Sequence, residues 1–121
     1  SLWLASRESD VALPMKEKLI ESSADDTSYS DCISGYTMRT IRCPWHVEWA
    51  REDAPRPLKP PLQMLLSNEY ITGANDYQRK DLMTEAAGQG IHYVTEMKPA
   101  RQILSDLVDE ALDVFDRFAS A

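Results

Sequence analysis

Leu82 to Ala111 reads L-M-T-E-A-A-G-Q-G-I-H-Y-V-T-E-M-K-P-A-R-Q-I-L-S-D-L-V-D-E-A. A small turn, Ala86 to Gly90, comes first. A strand-like run with Ile91, Tyr93 and Val94 follows, and Pro99 then opens a helix. Proline suits a helix start, where the missing N–H has no intrahelical partner to lose. Beyond it Ile103, Leu104, Leu107, Val108, Ala111, Leu112, Val114, Phe115 and Phe118 recur at helical spacing, with Asp106, Asp109, Asp113 and Asp116 opposite. The period predicts a helix from Pro99 to about Phe118. Gly88 and Gly90 permit positive φ or the close approach of another group, and Gln89 offers one acceptor and two donors between them. Such a loop suits a ligand. A helix cap followed by a turn describes the same residues equally well.

Upstream of this stretch, Asp76 to Ala87 has helix formers, with Tyr77, Lys80, Leu82 and Met83 toward one side, and Gly88 is placed to end it. Leu62, Met64, Leu65 and Leu66 predict a further helix to about Asn68, broken by Thr72-Gly73-Ala74-Asn75. Four prolines fall between Pro55 and Pro61, which reads as an extended connector. Pro44 predicts a short helix that puts Trp45 and Trp49 on one face. Thr27 to Ile33 and Tyr36 to Cys43 read as a β-hairpin turning at Ser34-Gly35. Val11, Met15, Leu19 and Ile20 predict a helix starting near Leu13, with cap chemistry at Ser9-Asp10. Leu2 to Ala5 reads as a short strand apolar on both faces, the pattern of a parallel sheet. The fold class is therefore α+β, mostly helical with one antiparallel hairpin.

The chain carries 121 residues and a formal net charge of −7. Clustered basic residues are what phosphate backbones and anionic membranes require, so nucleic acid and membrane surfaces are excluded as expected partners. No apolar run approaches the ~18 residues of a spanning helix. Cys32 and Cys43 do not form a disulfide framework, and free thiols in a reducing cytosol are expected. Asp25, Asp26 and Asp31 lack the regular spacing of a calcium loop. Cys43-x-x-His46 has zinc-compatible local spacing, but only His92 is left as a further histidine, so no metal is expected.

Three stretches taken in order resemble the nitronate monooxygenase family. S-L-W-L-A-S-R-E-S from Ser1 resembles the family's G-T-R-F-L-A-T-x-E-S, with Ser1 at the threonine and Leu2 at the usual arginine. D-D-T-S-Y-S-D-C-I-S-G-Y-T-M-R-T-I-R-C-P-W-H-V-E-W from Asp25 resembles D-T-x-x-T-x-x-F-x-G-R-P-x-R-x-L-R-N-x-x-V-x-E-W. A-G-Q-G followed by K-P-A-R-Q-I-L-S-D-L-V-D-E-A resembles the family's C-terminal end. The resemblance implies an FMN-dependent oxidoreductase on a TIM barrel, a fold of about 250 residues. This chain would then be its C-terminal fragment. Residues 1–22 would form the last barrel strand and outer helix, 23–98 a cap subdomain, and 99–121 the C-terminal helix. The implied substrates are an alkyl nitronate and O₂, and the implied FMN contacts are Ser1, Gly88, Gln89 and Gly90.

No P-loop, G-x-S-x-G or dinucleotide fingerprint is present. The family's catalytic histidine sits in a G-G-H-x-G element absent from this chain, so neither His46 nor His92 inherits its role and no catalytic residue is assigned. The fragment alone is expected to be inactive. A different reading makes the chain a freestanding acidic α+β interaction module built on its Trp pair and proline-rich connector.

Overall fold

The computed structural model describes residues 1–120. Residue 121, the last of the expected C-terminal segment, lies outside the described residues. The chain order is α1 (Leu13–Glu21), a 3₁₀ turn (Ala24–Asp26), β1 (Thr27–Ser30), β2 (Met38–Ile41), α2 (Pro44–Trp49), α3 (Leu62–Asp76), a second 3₁₀ turn (Gln89–Tyr93) and α4 (Ala100–Ala119). The mixed, mostly helical class with one hairpin is as the sequence predicts.

The hairpin is antiparallel, with Thr27 opposite Ile41 and Ser30 opposite Met38. Its strands are shorter than expected, because neighbouring elements take the carbonyls beyond Ser30. Trp45 Nε1 and Gln63 Nε2 both donate to the Cys32 carbonyl, at 2.9 and 2.6 Å. Ser67 Oγ donates to Ile33 at 2.7 Å. These bonds pull residues 31–37 off the ladder into a wide loop. Gly35 sits in that loop at φ +81°, and a Cβ on it would lie 2.6 Å from the Leu58 carbonyl.

Four further expectations are corrected. Leu2 to Ala5 is a run of turns rather than a strand. A parallel strand without neighbours leaves its backbone groups unpaired, and here Ala5 N–H bonds Ser1 C=O while Ser6 N–H bonds Trp3 C=O. Helix α3 runs through Gly73 to Asp76, because burying Ala74 in the core offsets the roughly 1 kcal/mol that a helical glycine costs. The segment expected to be helical up to Ala87 is extended from Thr84. Its backbone satisfies the open edge of β2, through Ile41 N–H to Glu85 C=O and Ala87 N–H to Arg39 C=O. The expected strand at Ile91–Val94 is instead the second 3₁₀ turn and its end. Ile91 and Val94 are buried three residues apart, on one side of a three-residue period, while Tyr93 points to solvent.

The core gathers Met15 and Leu19 of α1, Ile41 of β2, Ala74 of α3, Met83 and Ile91. Lys16 is also buried, its ammonium held by the carbonyls of Ser6 and Ser9, each at 2.7 Å. That clamp fixes the loop ahead of α1. Glu8 on the same loop accepts from Ala100 N–H at 2.8 Å, and so caps α4 from the far end of the sequence. The expected cap at Ser9-Asp10 does not act on α1; Ser9 Oγ accepts instead from Val11 N–H.

Candidate functional site

A cleft of about 410 Å³ opens where the N-terminal turns, the glycine loop and the start of α4 meet. Leu2, Gly90, Val94, Ile103 and Leu107 supply its apolar wall, and Tyr93 stands at its edge. The polar wall is Lys98, Asp106, Glu96 and Glu110. Lys98 Nζ lies 2.7 Å from Asp106 and 3.4 Å from Glu96. The bond from Lys98 holds the Asp106 carboxyl below the usual carboxylate range, and the same bond raises Lys98. With one cation already paired among three carboxylates, this cleft is electrostatically poor for a phosphate and open to a flat apolar group.

Of the four residues expected to hold cofactor, Gly90 lines the cleft and Ser1 precedes Leu2 at its wall. Gly88 and Gln89 are exposed on the adjoining turn and do not line it. Ser1 is half-buried, with its carbonyl taken by Ala5 N–H. Nothing inside the chain requires the glycines. Gly88 has φ −81°, a Cβ there meets nothing within 4 Å, and at Gly90 it meets only a Tyr93 ring carbon at 3.8 Å. Space stands open above the loop. Asp106 and Glu110 carried no signal in the sequence beyond their place on a polar helix face, and Lys98, just ahead of that helix, carried none.

His92 is exposed, with Nδ1 2.8 Å from the Gln89 carbonyl and its ring against Tyr93. That contact closes the 3₁₀ turn. His46 is buried between Cys43 and Thr40: Nδ1 is 3.2 Å from Cys43 Sγ and Nε2 is 2.7 Å from Thr40 Oγ1. Both thiols are free and buried. Among the described residues no group of three or more His, Cys, Asp or Glu is placed to hold a metal ion. Among them, too, no helix is long and apolar enough to cross a membrane. Trp45 packs inward, 5.8 Å from Trp49 and 4.9 Å from Tyr70 between ring centres. It is therefore committed to the chain's own packing, which weakens the interaction-module reading.

The chain is 29% identical over 119 residues to a Mycobacterium tuberculosis protein named as a monooxygenase, matching 93% of this chain and 32% of that protein. It is also 29% identical over 114 residues to a Bacillus subtilis protein named as a nitronate monooxygenase, matching 94% of this chain and 33% of that one. The resemblance to the nitronate monooxygenase family holds. The chain spans about a third of the length of these curated relatives. No family model matches it. The solved structure of FabK from Thermotoga maritima superposes with a TM-score of 0.73 at 24% identity, over 98% of this chain and 37% of that one. A mutant of the same FabK gives 0.65 at 23% identity, over 98% and 33%. These superpositions show a shared fold.

Proposed function

We propose that this chain is the C-terminal part of an FMN-dependent oxidoreductase that oxidises alkyl nitronates with O₂ to carbonyl compounds and nitrite. In this reading residues 1–22 complete the barrel, 23–98 form the cap, and 99–121 close the chain. The observation that carries it is Gly90 at the apolar wall of an open cleft, with Gly88 on the adjoining turn and no intrachain reason for either to be glycine. A flat ring seated against Gly88 to Gly90 would supply that reason. The residues present fit the edge of a flavin ring. They do not fit its phosphate, since Lys98 is already paired and only the Ser1 hydroxyl remains as a phosphate contact. The rest of the phosphate site and the base belong to segments this chain does not contain. When bound, the flavin would supply the electron transfer to O₂, while this chain would shape the wall beside it. The free, buried thiols accord with a reducing cytosol.

The test is a flavin titration of the chain alone and of the parent enzyme, with nitronate turnover. One or two hydrogen bonds contribute about 1–3 kcal/mol. Micromolar affinity needs about 8 kcal/mol. The chain alone is expected to bind no FMN at micromolar concentration. In the parent, Gln89→Ala should reduce flavin or substrate affinity more than His92→Ala does. Tight FMN binding by the chain alone, or a dead His92→Ala parent beside an active Gln89→Ala one, would overturn the assignment.

A further inference from the structure

Cys43 follows β2 and immediately precedes α2, so its side chain meets His46 one helical turn on. Sγ lies 3.2 Å from His46 Nδ1, and the Cys43 backbone N–H also points at Nδ1, at 3.3 Å. A ring nitrogen that accepts a backbone N–H carries no proton of its own. The ring proton is therefore on Nε2, donated to Thr40 Oγ1 at 2.7 Å. Nδ1 keeps its lone pair beside the thiol. Burial, and after it the nearby charges of Lys18 and Arg42, hold His46 below the ordinary histidine value, so the resting ring is neutral and its Nδ1 lone pair faces the thiol. This arrangement is not a lone thiol but a thiol, a base and a group that sets the tautomer of the base.

The thiol also has an approach from solvent. An open cleft of about 670 Å³ is lined by Cys43, Lys18 and Arg42, and also by Glu21, Asp26, Glu48 and Asp81. Cys43 is 4% exposed, so only a small reagent reaches its sulfur. Four carboxylates against two cations disfavour an anionic oxidant and leave a neutral one free to enter. Lys18 is electrostatically coupled to the Cys43 thiol and donates to the Met83 carbonyl at 2.5 Å. An ammonium there would stabilise negative charge on a departing oxygen. Cys32 has no such arrangement; its backbone N–H bonds Ser30 Oγ, and burial pushes its thiol up.

The structure assigns Cys43 as a hydroperoxide-reactive thiol, with His46 as the base for its proton and the Lys18–Arg42 cleft as the entry. The Cys43 S–H proton passes to Nδ1. The sulfur electron pair then attacks one oxygen of the hydroperoxide and the O–O bond breaks. The departing oxygen takes a proton from the imidazolium and leaves as water or alcohol. Sulfur is oxidised by two electrons to a sulfenic acid, and the hydroperoxide is reduced by two. The assignment is independent of the flavin reading.

The test treats the 121-residue chain with hydrogen peroxide, removes the oxidant, and then unfolds the chain in denaturant containing a cyclic 1,3-diketone, which traps sulfenic acid at either thiol. Peptide mass spectrometry then reads the adduct at each thiol. Labelling at Cys43 should exceed that at Cys32 by about tenfold or more, as expected where thiol reactivity follows its local environment. His46→Gln should abolish most of that excess. The ratio of the two thiols in the unmodified chain decides the matter even where the variant fails to fold. Equal labelling of Cys32 and Cys43 would overturn the assignment, and so would a folded His46→Gln chain that labels as fast as the parent sequence.

Discussion

Helices α1 and α4 begin alike, with a proline at or next to the first turn, and both are amphipathic. Their fates differ. In α1 the apolar stripe is used: Leu19 is 0% exposed and Met15 is buried beside it. In α4 only Ile103 is buried, while Leu112, Phe115 and Phe118 are 56, 69 and 79% exposed. A 3.6-residue period reports that a helix has a partner somewhere, and it does not report that the partner lies in the same chain. Helix α3 sharpens the point by inverting the rule. Its first turns bury Gln63 and Ser67 and expose Leu62, Leu65 and Leu66, because there the inner face is paired to loop carbonyls, and only Ala74 near its end joins the core.

The largest expected effect separates α1 from α4. Leu19→Ala should cost about 2–5 kcal/mol in chemical denaturation, the range for emptying a buried leucine site. Leu112→Ala should stay within about 0.5 kcal/mol of the unaltered chain. A loss at Leu112 as large as that at Leu19 would break the comparison by revealing a partner for α4 in the isolated chain.

The polar face of α3 comes next. Gln63 Oε1 accepts from Leu58 N–H at 2.9 Å while Nε2 serves Cys32, so Gln63→Ala strands the Leu58 N–H and leaves the Cys32 carbonyl with the Trp45 bond alone. We expect a loss of about 1–3 kcal/mol, the cost of leaving buried polar groups unpaired. A neutral Gln63→Ala would mean that water replaces the side chain and that α3 is held by something else.

Glycines give a smaller contrast. Gly35→Ala should destabilise by about 1–3 kcal/mol, because positive φ and the Leu58 carbonyl both oppose a Cβ. Gly88→Ala should be neutral or stabilise this chain by up to about 1 kcal/mol. The same Gly88→Ala change should weaken flavin binding in the parent. If it leaves flavin binding intact, the loop has no ligand against it.

Acidification should give the smallest effect. His46 titrates below its unfolded value because burial disfavours its charge. The unfolded chain therefore binds the proton first, and stability is full above about pH 6.5 and falls as pH drops below it. Thermal melts between pH 7 and 5 check the sign, and stability that rises on acidification through this window would contradict the burial of His46.

Much of the local structure was legible in the residues. Pro44 and Pro99 start helices α2 and α4, one as the first helical residue and one as the residue before it, and the apolar repeat places α4 to within a residue or two. Ser34-Gly35 marks the right loop, although the turn is wider than two residues. The glycine pattern marked the loop in which Gly90 lines the cleft without deciding between a ligand loop and a cap, whereas Lys98 and Asp106 were hidden among ordinary surface charges. Thr40 as the partner of His46 was invisible, because it lies on a different element and no spacing rule links the two.

Local chemistry by itself determined where helices and the hairpin begin, since propensity, proline geometry and period act within a few residues. Tertiary structure alone decided three things. The 84–87 segment became an extended neighbour of β2 because that edge had unpaired backbone groups. Leu2 to Ala5 coiled into turns because it had none to pair with. The imidazole of His46 was set between a thiol and a hydroxyl. Each depends on which backbone or side-chain partner arrives from elsewhere in the chain, and an unpaired buried polar group costs more than local propensity supplies.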